Sequence, residues 1–480
     1  MQVLVIDVGT SGIRAAAVDP DGTIISERHV RAVPSTPMPG LVEFDASHMA
    51  HAALETAQAV LAEVGEVAAV GIANQRASTV VWERDSGTPV GPGIGWQDLR
   101  TVGECLALQA DDIRLAPNQS ATKLAHLLDA ADPDRSGDLC FGTVDSWLVW
   151  HLTGGTHHVT DRTNAAVTGL LTGDAGRWNE RVLDALRIPE SCLPTVVDSA
   201  GVVGPATALA GAPPITGIAG DQQASLVGQG CVRPGMTKIT FGTGGMLDMW
   251  LGDDAPASAE RGPAGTFPIV AMSRGGTTSW GLEAIMLSAG SNLDWLVEDL
   301  GLLSDAAESH EVAASCADSG GVVYVPALLG LGTPQWDYGA RGTLLGITRG
   351  SDRSHIVRAV LEGIAHRGAD LVEAAEAESG RTIDQLRVDG GMSANPTFVQ
   401  ALADATGKVV EISPVLEATT LGAAYLAALG ADLIEDERAI AQRWEPRERV
   451  EPTGRLDRDQ WRTALERAAG WHGELSALDF

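Results

Sequence analysis

Residues 217–245 read GIAGDQQASLVGQGCVRPGMTKITFGTGG. One acid, Asp221, follows the apolar run Ile215–Ile218 and stands between Gly220 and Gln222, ahead of a Gly242-Thr243-Gly244-Gly245 turn. An acid at a strand end is open to a ligand rather than packed in a core. The turn follows the strand-like segment Thr237–Phe241, and its glycines let backbone N–H groups come close to an anion. An acid to accept a proton, beside a cradle for phosphate, is what phosphoryl transfer to an alcohol requires. Two ordinary strand-end turns are the competing reading of the same residues.

A second small-residue turn occurs at the start of the chain, Asp7-Val8-Gly9-Thr10-Ser11-Gly12. Each turn can donate several amides, and Thr10, Ser11 and Thr243 add hydroxyls. Asp7 is placed to hold Mg²⁺, directly or through water. Arg14 can neutralise charge on a transferring phosphoryl group. The Gly390-Gly391 turn can admit an adenosine against bare backbone. None of the three lysines, Lys123, Lys238 and Lys408, follows the glycine run of a P-loop, and no dinucleotide-type glycine fingerprint lies between a strand and a helix. ATP phosphates would therefore be held by the two hairpins.

The elements that must position these residues alternate between strand and helix. Val3–Ile6 is an apolar run that reads as a strand buried on both faces. Arg14–Val18 and Thr23–Val30 follow as strands, separated by the turn Asp19–Gly22. Asp45–Val64 reads as a helix capped by Asp45, with Met49, Ala53, Ala57, Val60, Leu61 and Val64 at helical spacing. Val67–Ile72 and Ser78–Trp82 return to strand. The second half opens the same way, with Thr237–Phe241, a glycine turn and Met246–Leu251. The paired openings Ile6–Thr10 and Thr240–Gly244 suggest two related halves joined near Gly228–Pro234. Asp352–Glu378 is a long amphipathic helix stopped near Gly380. Leu386–Val388, a helix begun by the capping Asn395 and Pro396, Val409–Ile412 and the Ala-rich helix Glu417–Leu429 complete an α/β pattern. The charged tail from Glu435 reads as peripheral.

Composition narrows the partners. The 480 residues carry 63 acids and 33 Lys or Arg, a net charge of −30. A field that negative disfavours nucleic acid and anionic membrane, whereas ATP can be bound by local arginines and amides. Five scattered cysteines without a C-x-x-C pair fit free thiols in a reducing cytoplasm. The chain opens directly on strand-like MQVLVID, without a signal-peptide pattern, and no apolar run is long enough to insert in a membrane. The histidines show no metal-ligand spacing. The sequence leaves a homo-oligomer open.

Over roughly residues 2–430 the chain resembles the FGGY family of carbohydrate kinases, and most closely its glycerol-kinase branch. The resemblance rests on ordered segments: Ile72–Arg76 with Thr79–Glu83, Gly95–Gln97, Thr143–Leu148 with Leu152–Gly154, Gly217–Gln223, Gly339–Gly342, a signature from Gly342 to Glu362, and Val388–Gly391. It implies an actin- or hexokinase-like pair of ribonuclease-H-like domains flanking a nucleotide cleft. Residues 1–230 would form the N-terminal domain, 231–434 the C-terminal domain, and 435–480 a peripheral tail. By the same resemblance Asp221 is the catalytic base, Gln222 its substrate-binding neighbour, Asp7 the metal-associated aspartate, and Arg76 and Trp96 the polyol contacts. Thr10, Ser11, Arg14, Gly242, Thr243, Gly290, Gly391 and Asn395 correspond to nucleotide contacts. The expected activity is ATP- and Mg²⁺-dependent phosphorylation of a terminal hydroxyl on a small neutral polyol or sugar. The remote rival is a non-catalytic nucleotide switch on the same fold.

Departures from the glycerol-kinase pattern gather in the polyol pocket. Ala77 stands where a glutamate accepts from glycerol hydroxyls, and Asn118 and Met246 replace two aromatics. In the nucleotide site Asp294 replaces a glutamine, and the loop that binds a sugar-bisphosphate inhibitor in some relatives is absent at residues 207–216. A lost hydrogen bond to a charged partner costs about 1.5–3 kcal/mol, or roughly one to two decades of discrimination. Asp98 is the residue that would restore an acceptor. The substrate expected is a tetritol, pentitol or ketopentose rather than glycerol, with glycerol itself or a xylulokinase-like preference as alternatives.

Overall fold

In the computed structural model, which describes residues 2–480, thirteen strands form one twisted mixed sheet. In chain order they are β1 (Val3–Val8), β2 (Gly12–Val18), β3 (Ile24–Arg31), β4 (Ala69–Asn74), β5 (Ala200–Pro205), β6 (Pro214–Gly220), β7 (Thr237–Phe241), β8 (Gly245–Gly252), β9 (Phe267–Arg274), β10 (Thr277–Met286), β11 (Gln385–Asp389), β12 (Val409–Ile412) and β13 (Glu448–Val450). Their spatial order is β13-β12-β11-β7-β8-β10-β9-β5-β6-β4-β1-β2-β3.

Two copies of one pattern are contained in that order. In the N-terminal half β1 pairs antiparallel with β2 and parallel with β4, which in turn runs parallel to β6. In the C-terminal half β7 pairs antiparallel with β8 and parallel with β11, which runs parallel to β12. Each half thus reads third-second-first-fourth-fifth strand across the sheet, with β10 in the third place of the second copy. The halves meet edge to edge at a single pair, Ala200 with Arg274. The repeat suggested by two short glycine turns extends to the whole topology.

The helices that matter here are α1 (Ala46–Val64), α2 (Val144–Leu152), α3 (Asp221–Gly228), α4 (Arg353–Ser379), α5 (Pro396–Thr406), α6 (Ala418–Gly430) and α7 (Arg458–Ala468). Asp45 caps α1 by accepting from the His48 N–H at 2.9 Å, and Asn395 caps α5 by accepting from the Phe398 N–H at 3.0 Å. On one face of the N-terminal strands Leu4, Ile6, Val70 and Ile72 pack against Ala53, Val60 and Leu148 of α1 and α2. The C-terminal core places Phe241, Leu247 and Leu282 against Val360 and Ile364 of α4 and Leu402 of α5.

Helix α6 follows the last parallel strand of the second half but covers the first. Its Leu421, Leu426 and Leu429 join Val3, Val5, Ala69 and Ala219 in one core. It crosses α3 so closely that a Cβ on Gly422 would overlap the Ala224 carbonyl, and one on Gly228 the Ala418 carbonyl. Helix α3, which begins at the candidate base, is therefore held by chain from both halves.

The segment from Glu435 is integrated rather than peripheral. β13 extends the sheet beside β12. Trp461 of α7 is fully buried, stacks on His366 with ring centroids 4.9 Å apart, and donates its indole N–H to Asp370. Near the C-terminus Asp479 pairs with Arg114 and Arg261. Among the described residues no helix is long and apolar enough to cross a membrane, and all five cysteines are free.

Candidate active site

Asp221 is the first residue of α3, directly after β6, so its carboxylate lies where strand meets helix. Its Oδ1 accepts from the Gln222 N–H at 2.8 Å, and the Arg76 Nε stands 3.6 Å away. The side chain keeps 28% of its surface exposed, which leaves an acceptor available to a ligand. Enclosure raises the carboxyl above its ordinary value; Arg76 opposes that rise. An acid held in this way can take a proton and stabilise a group bound beside it.

Arg76 reaches across the halves. It follows β4, and its Nη2 donates to the Glu283 Oε2 of β10 at 2.6 Å. Glu283 ends a row of three charges set side by side by strand register: Lys238 opposite Asp248, and Asp248 opposite Glu283. Lys238 and Asp248 are fully buried and pair at 2.7 Å. The Lys238 Nζ also donates to the Gln222 Oε1 at 2.8 Å and the Thr240 Oγ1 at 2.9 Å. Burial pushes the Asp248 carboxyl up to about 6, against the pull of Lys238. The sequence offered a signal for each residue of the row, a lone charge in an apolar strand, but not the register that joins them.

The turns on the nucleotide side come from equivalent hairpins, β1–β2 and β7–β8. Gly9 N–H bonds to the Gly12 carbonyl, and the Thr10 hydroxyl accepts from the Trp96 indole at 3.1 Å. Ser11 is exposed. Arg14 lies opposite Asp7 in register and is ion-paired with Glu417, so it is not a free cation. Gly242, Thr243 and Gly290 are one tight unit, in which the Gly290 N–H donates to the Gly242 carbonyl at 2.8 Å and the Ala289 N–H to the Thr243 carbonyl. Asp294 is exposed on the short helix that follows. Gly390 has φ +82, and a Cβ there would strike the Phe241 carbonyl; Gly391 faces open space. Asn395, expected as a nucleotide contact, is buried, caps α5 and donates to the Ser309 hydroxyl at 2.8 Å. These bonds fix the loop beside Gly391.

Among the substrate candidates, the Trp96 backbone is held on both sides: its N–H donates to the Ser78 hydroxyl and its carbonyl accepts from Lys123. Ala77 is buried with φ +59, and its carbonyl accepts from the Ser120 hydroxyl at 3.0 Å. The exposed Asn118 is two residues from that contact. Met246 is half-buried on β8, two residues before Asp248 and hence on the same face. Asp98 does not restore the acceptor missing at Ala77. It is fully buried, and its carboxylate is committed to Arg100 at 2.8 Å and the Val42 N–H at 2.6 Å. Arg100, two residues on, holds it away from the pocket.

Asp7 is the last residue but one of β1, one strand from β4 and two from β6. Burial, reinforced by the nearby Asp221, pushes its carboxyl up to about 7. Two carboxylates that oppose one another's ionisation fit a divalent cation between them or beside them. Among the described residues no cluster of three ligating side chains exists. Mg²⁺ takes one or two carboxylates and fills its shell with phosphate oxygens and water, a donor set to which Asp7 and Asp221 are suited.

Comparison with known families covers most of the chain. Residues 2–228 match the N-terminal domain, and residues 237–431 the C-terminal domain, of the FGGY family of carbohydrate kinases. The chain belongs to the FGGY family. It is 44% identical to a glycerol kinase of Trichlorobacter lovleyi, covering 98% of this chain and 99% of that one. It is 40% identical to glycerol kinase 2 of Thermotoga maritima over the same shares. In structure it is similar to Plasmodium falciparum glycerol kinase with ADP, at TM-score 0.89 and 27% identity over 97% of this chain and 98% of that one. A Brucella ovis "xyloylose kinase" follows at TM-score 0.86 and 25% identity, with both chains fully covered. The fold is the two-domain one expected, and the enzyme is an ATP-dependent kinase of a polyol or sugar.

Proposed function

We propose that the protein phosphorylates a terminal hydroxyl of a four- or five-carbon polyol or ketose in preference to glycerol, with Asp221 as the base. The observation that carries the mechanism is Asp221 at the start of α3, with Oδ1 fixed by the Gln222 N–H and Arg76 alongside. The substrate hydroxyl gives its proton to Asp221 as its oxygen attacks the γ-phosphorus in line. Amides and hydroxyls of Gly9–Gly12 and Gly242–Thr243 receive the phosphates, and the open face of Gly391 admits the adenosine. Arg76, Trp96 and Gln222 orient the substrate, and approach of the two halves excludes water. Asp7 and Asp221 would hold Mg²⁺, which supplies charge neutralisation at the phosphates when bound. Free thiols suit a cytoplasmic setting.

The preference for a longer substrate rests on Ala77, Asn118 and Met246, which together leave out a carboxylate and two aromatic walls. Coupled ADP release across a panel of polyols and ketoses tests it; a clear preference for glycerol in kcat/KM overturns it. Glycerol is the second reading, favoured by the names of relatives 40% and 44% identical to this chain.

A further inference from the structure

The turn that carries Asp221 is also held by a buried carboxylate that the reaction does not use. Asp161 is fully buried and caps the short helix Arg162–Ala166. Five donors converge on it: the Thr163 N–H at 3.0 Å and hydroxyl at 2.9 Å, the Asn164 N–H at 3.0 Å and side-chain amide at 2.9 Å, and the Ser199 hydroxyl at 2.7 Å. Burial pushes the carboxyl up, and these donors, which favour its ionised form, oppose the push. An ionised carboxylate only accepts, so the one proton of the Thr163 hydroxyl goes to Asp161 and its lone pairs remain for another donor. That donor is the Gly220 N–H at 2.9 Å, one residue before Asp221. Gly220 also lies against Arg76 and Gln223: a Cβ there would stand 2.7 Å from the Arg76 side chain and 2.8 Å from the Gln223 Oε1.

The same carboxylate reaches a second turn of the site and the seam between the halves. Asn164, aligned by Asp161, exchanges two amide hydrogen bonds with Asn74, at 2.9 and 3.1 Å. Asn74 is the last residue of β4, two before Arg76, and stands opposite Gly220 in register. Ser199, besides donating to Asp161, accepts from the Ser273 N–H at 3.1 Å, and its own N–H donates to the Ser273 hydroxyl at 3.0 Å. These two serines immediately precede Ala200 and Arg274, the pair at which β5 and β9 join the halves. All six side chains are buried. We propose that Asp161 is a positioning residue for Asp221. It acts through Thr163 on the Gly220 N–H and through Asn164 on the strand end that leads to Arg76, and Ser199 ties it to the seam, so that the base keeps its place as the halves approach. This rests on the reading of Asp221 as the base and adds how it is held.

Thr163→Val keeps the size of the side chain and removes the oxygen that accepts the Gly220 N–H. Coupled ADP release with the preferred substrate should show kcat lowered by roughly 10- to 100-fold, because the base is displaced from its productive position. KM for the substrate should stay near the wild-type value, because Glu283 still anchors Arg76. Thr163→Ser, which returns the hydroxyl, should recover most of kcat. Thr160→Val is the stability control. Its hydroxyl donates to the equally buried Asp145 at 2.8 Å and meets neither Gly220 nor Asn164, so its loss should lower the melting temperature and leave kcat at the wild-type level. Ser273→Ala, made in the other half, should also lower kcat; an unchanged kcat there overturns the link to the seam. If Thr163→Val does not fold, Thr163→Ala makes the same comparison. Wild-type kcat in the folded Thr163 variant, an equal loss in Thr160→Val, or no recovery in Thr163→Ser overturns the proposal. Normal turnover in Asp221→Asn defeats the reading of the base instead, whatever the Thr163 variants show.

Discussion

Replacing Asp221 with asparagine separates its role as a base from its role in holding the site together. The amide keeps an oxygen to accept the Gln222 N–H, now at 2.8 Å, so the start of α3 should not move. What is lost is the proton acceptor and the charge facing Arg76. The Coulomb attraction across 3.6 Å is about 4–5 kcal/mol before desolvation at an effective dielectric near 20. Arg76 nevertheless stays anchored by Glu283 at 2.6 Å, a contact the substitution does not touch. Substrate binding should therefore change by roughly threefold or less, while loss of a positioned general base lowers kcat by about 10²–10⁴, equivalent to roughly 3–5 kcal/mol of barrier. The assay is steady-state coupled ADP release with the preferred substrate, with calorimetry of ATP binding as a control. Near-normal turnover in a folded Asp221→Asn protein would refute the assignment of the base. A large rise in KM with kcat preserved would show instead that Asp221 serves binding.

Proton linkage at Asp7 has a defined sign. Its folded carboxyl titrates at about 7, so a proton must leave before a cation can bind, and affinity for Mg²⁺-ATP should fall as pH drops through 7 and level off above it; in Asp7→Asn calorimetry should find weaker binding with no such step. The same raised value makes ionisation of Asp7 unfavourable to folding, so its contribution to stability is present below pH ~4 and lost between there and about 7. The two glycines of the 390–391 turn should behave oppositely. Gly390→Ala meets a positive φ and the Phe241 carbonyl and should lower the melting temperature, whereas Gly391→Ala faces open space and should weaken ATP binding with stability altered by no more than ~0.5 kcal/mol; ATP affinity unchanged in Gly391→Ala would detach the turn from the nucleotide. Trp461→Ala should cost about 3–5 kcal/mol in denaturant melts, and a cost near zero would mean that the C-terminal segment adds nothing to the core.

What was legible in the sequence was local. Asp45 and Asn395 announced their helices because a capping side chain acts within three residues of itself. The glycine turns announced the two hairpins because their chemistry is contained in four residues. Trp461, Ala464, Leu465 and Ala468 recur at helical spacing and are all buried, so the tail's integration was also written there, obscured by the charges between them. Asp98 misled because a lone acid next to Trp96-Gln97 reads as a free acceptor, whereas Arg100 two residues on takes its carboxylate. The crossing of α3 and α6 was not legible: an Ala-rich helix apolar on every side declares that it is buried, not which half buries it. Nor was the Lys238–Asp248–Glu283 row, which exists only once three strands are in register.

That row explains how a substitution as severe as a missing glutamate can sit beside an intact base. The groups that hold Asp221 are Arg76 and the Gln222 N–H, and Arg76 is fixed from the other half by Glu283. None of these contacts involves the side chain at position 77. The contacts around Asp221 use Arg76 Nε and the Gln222 backbone N–H, with Arg76 Nη2 on Glu283, and leave Arg76 Nη1 without a partner. On this geometry the side chain at position 77 can change while the groups around Asp221 keep their contacts.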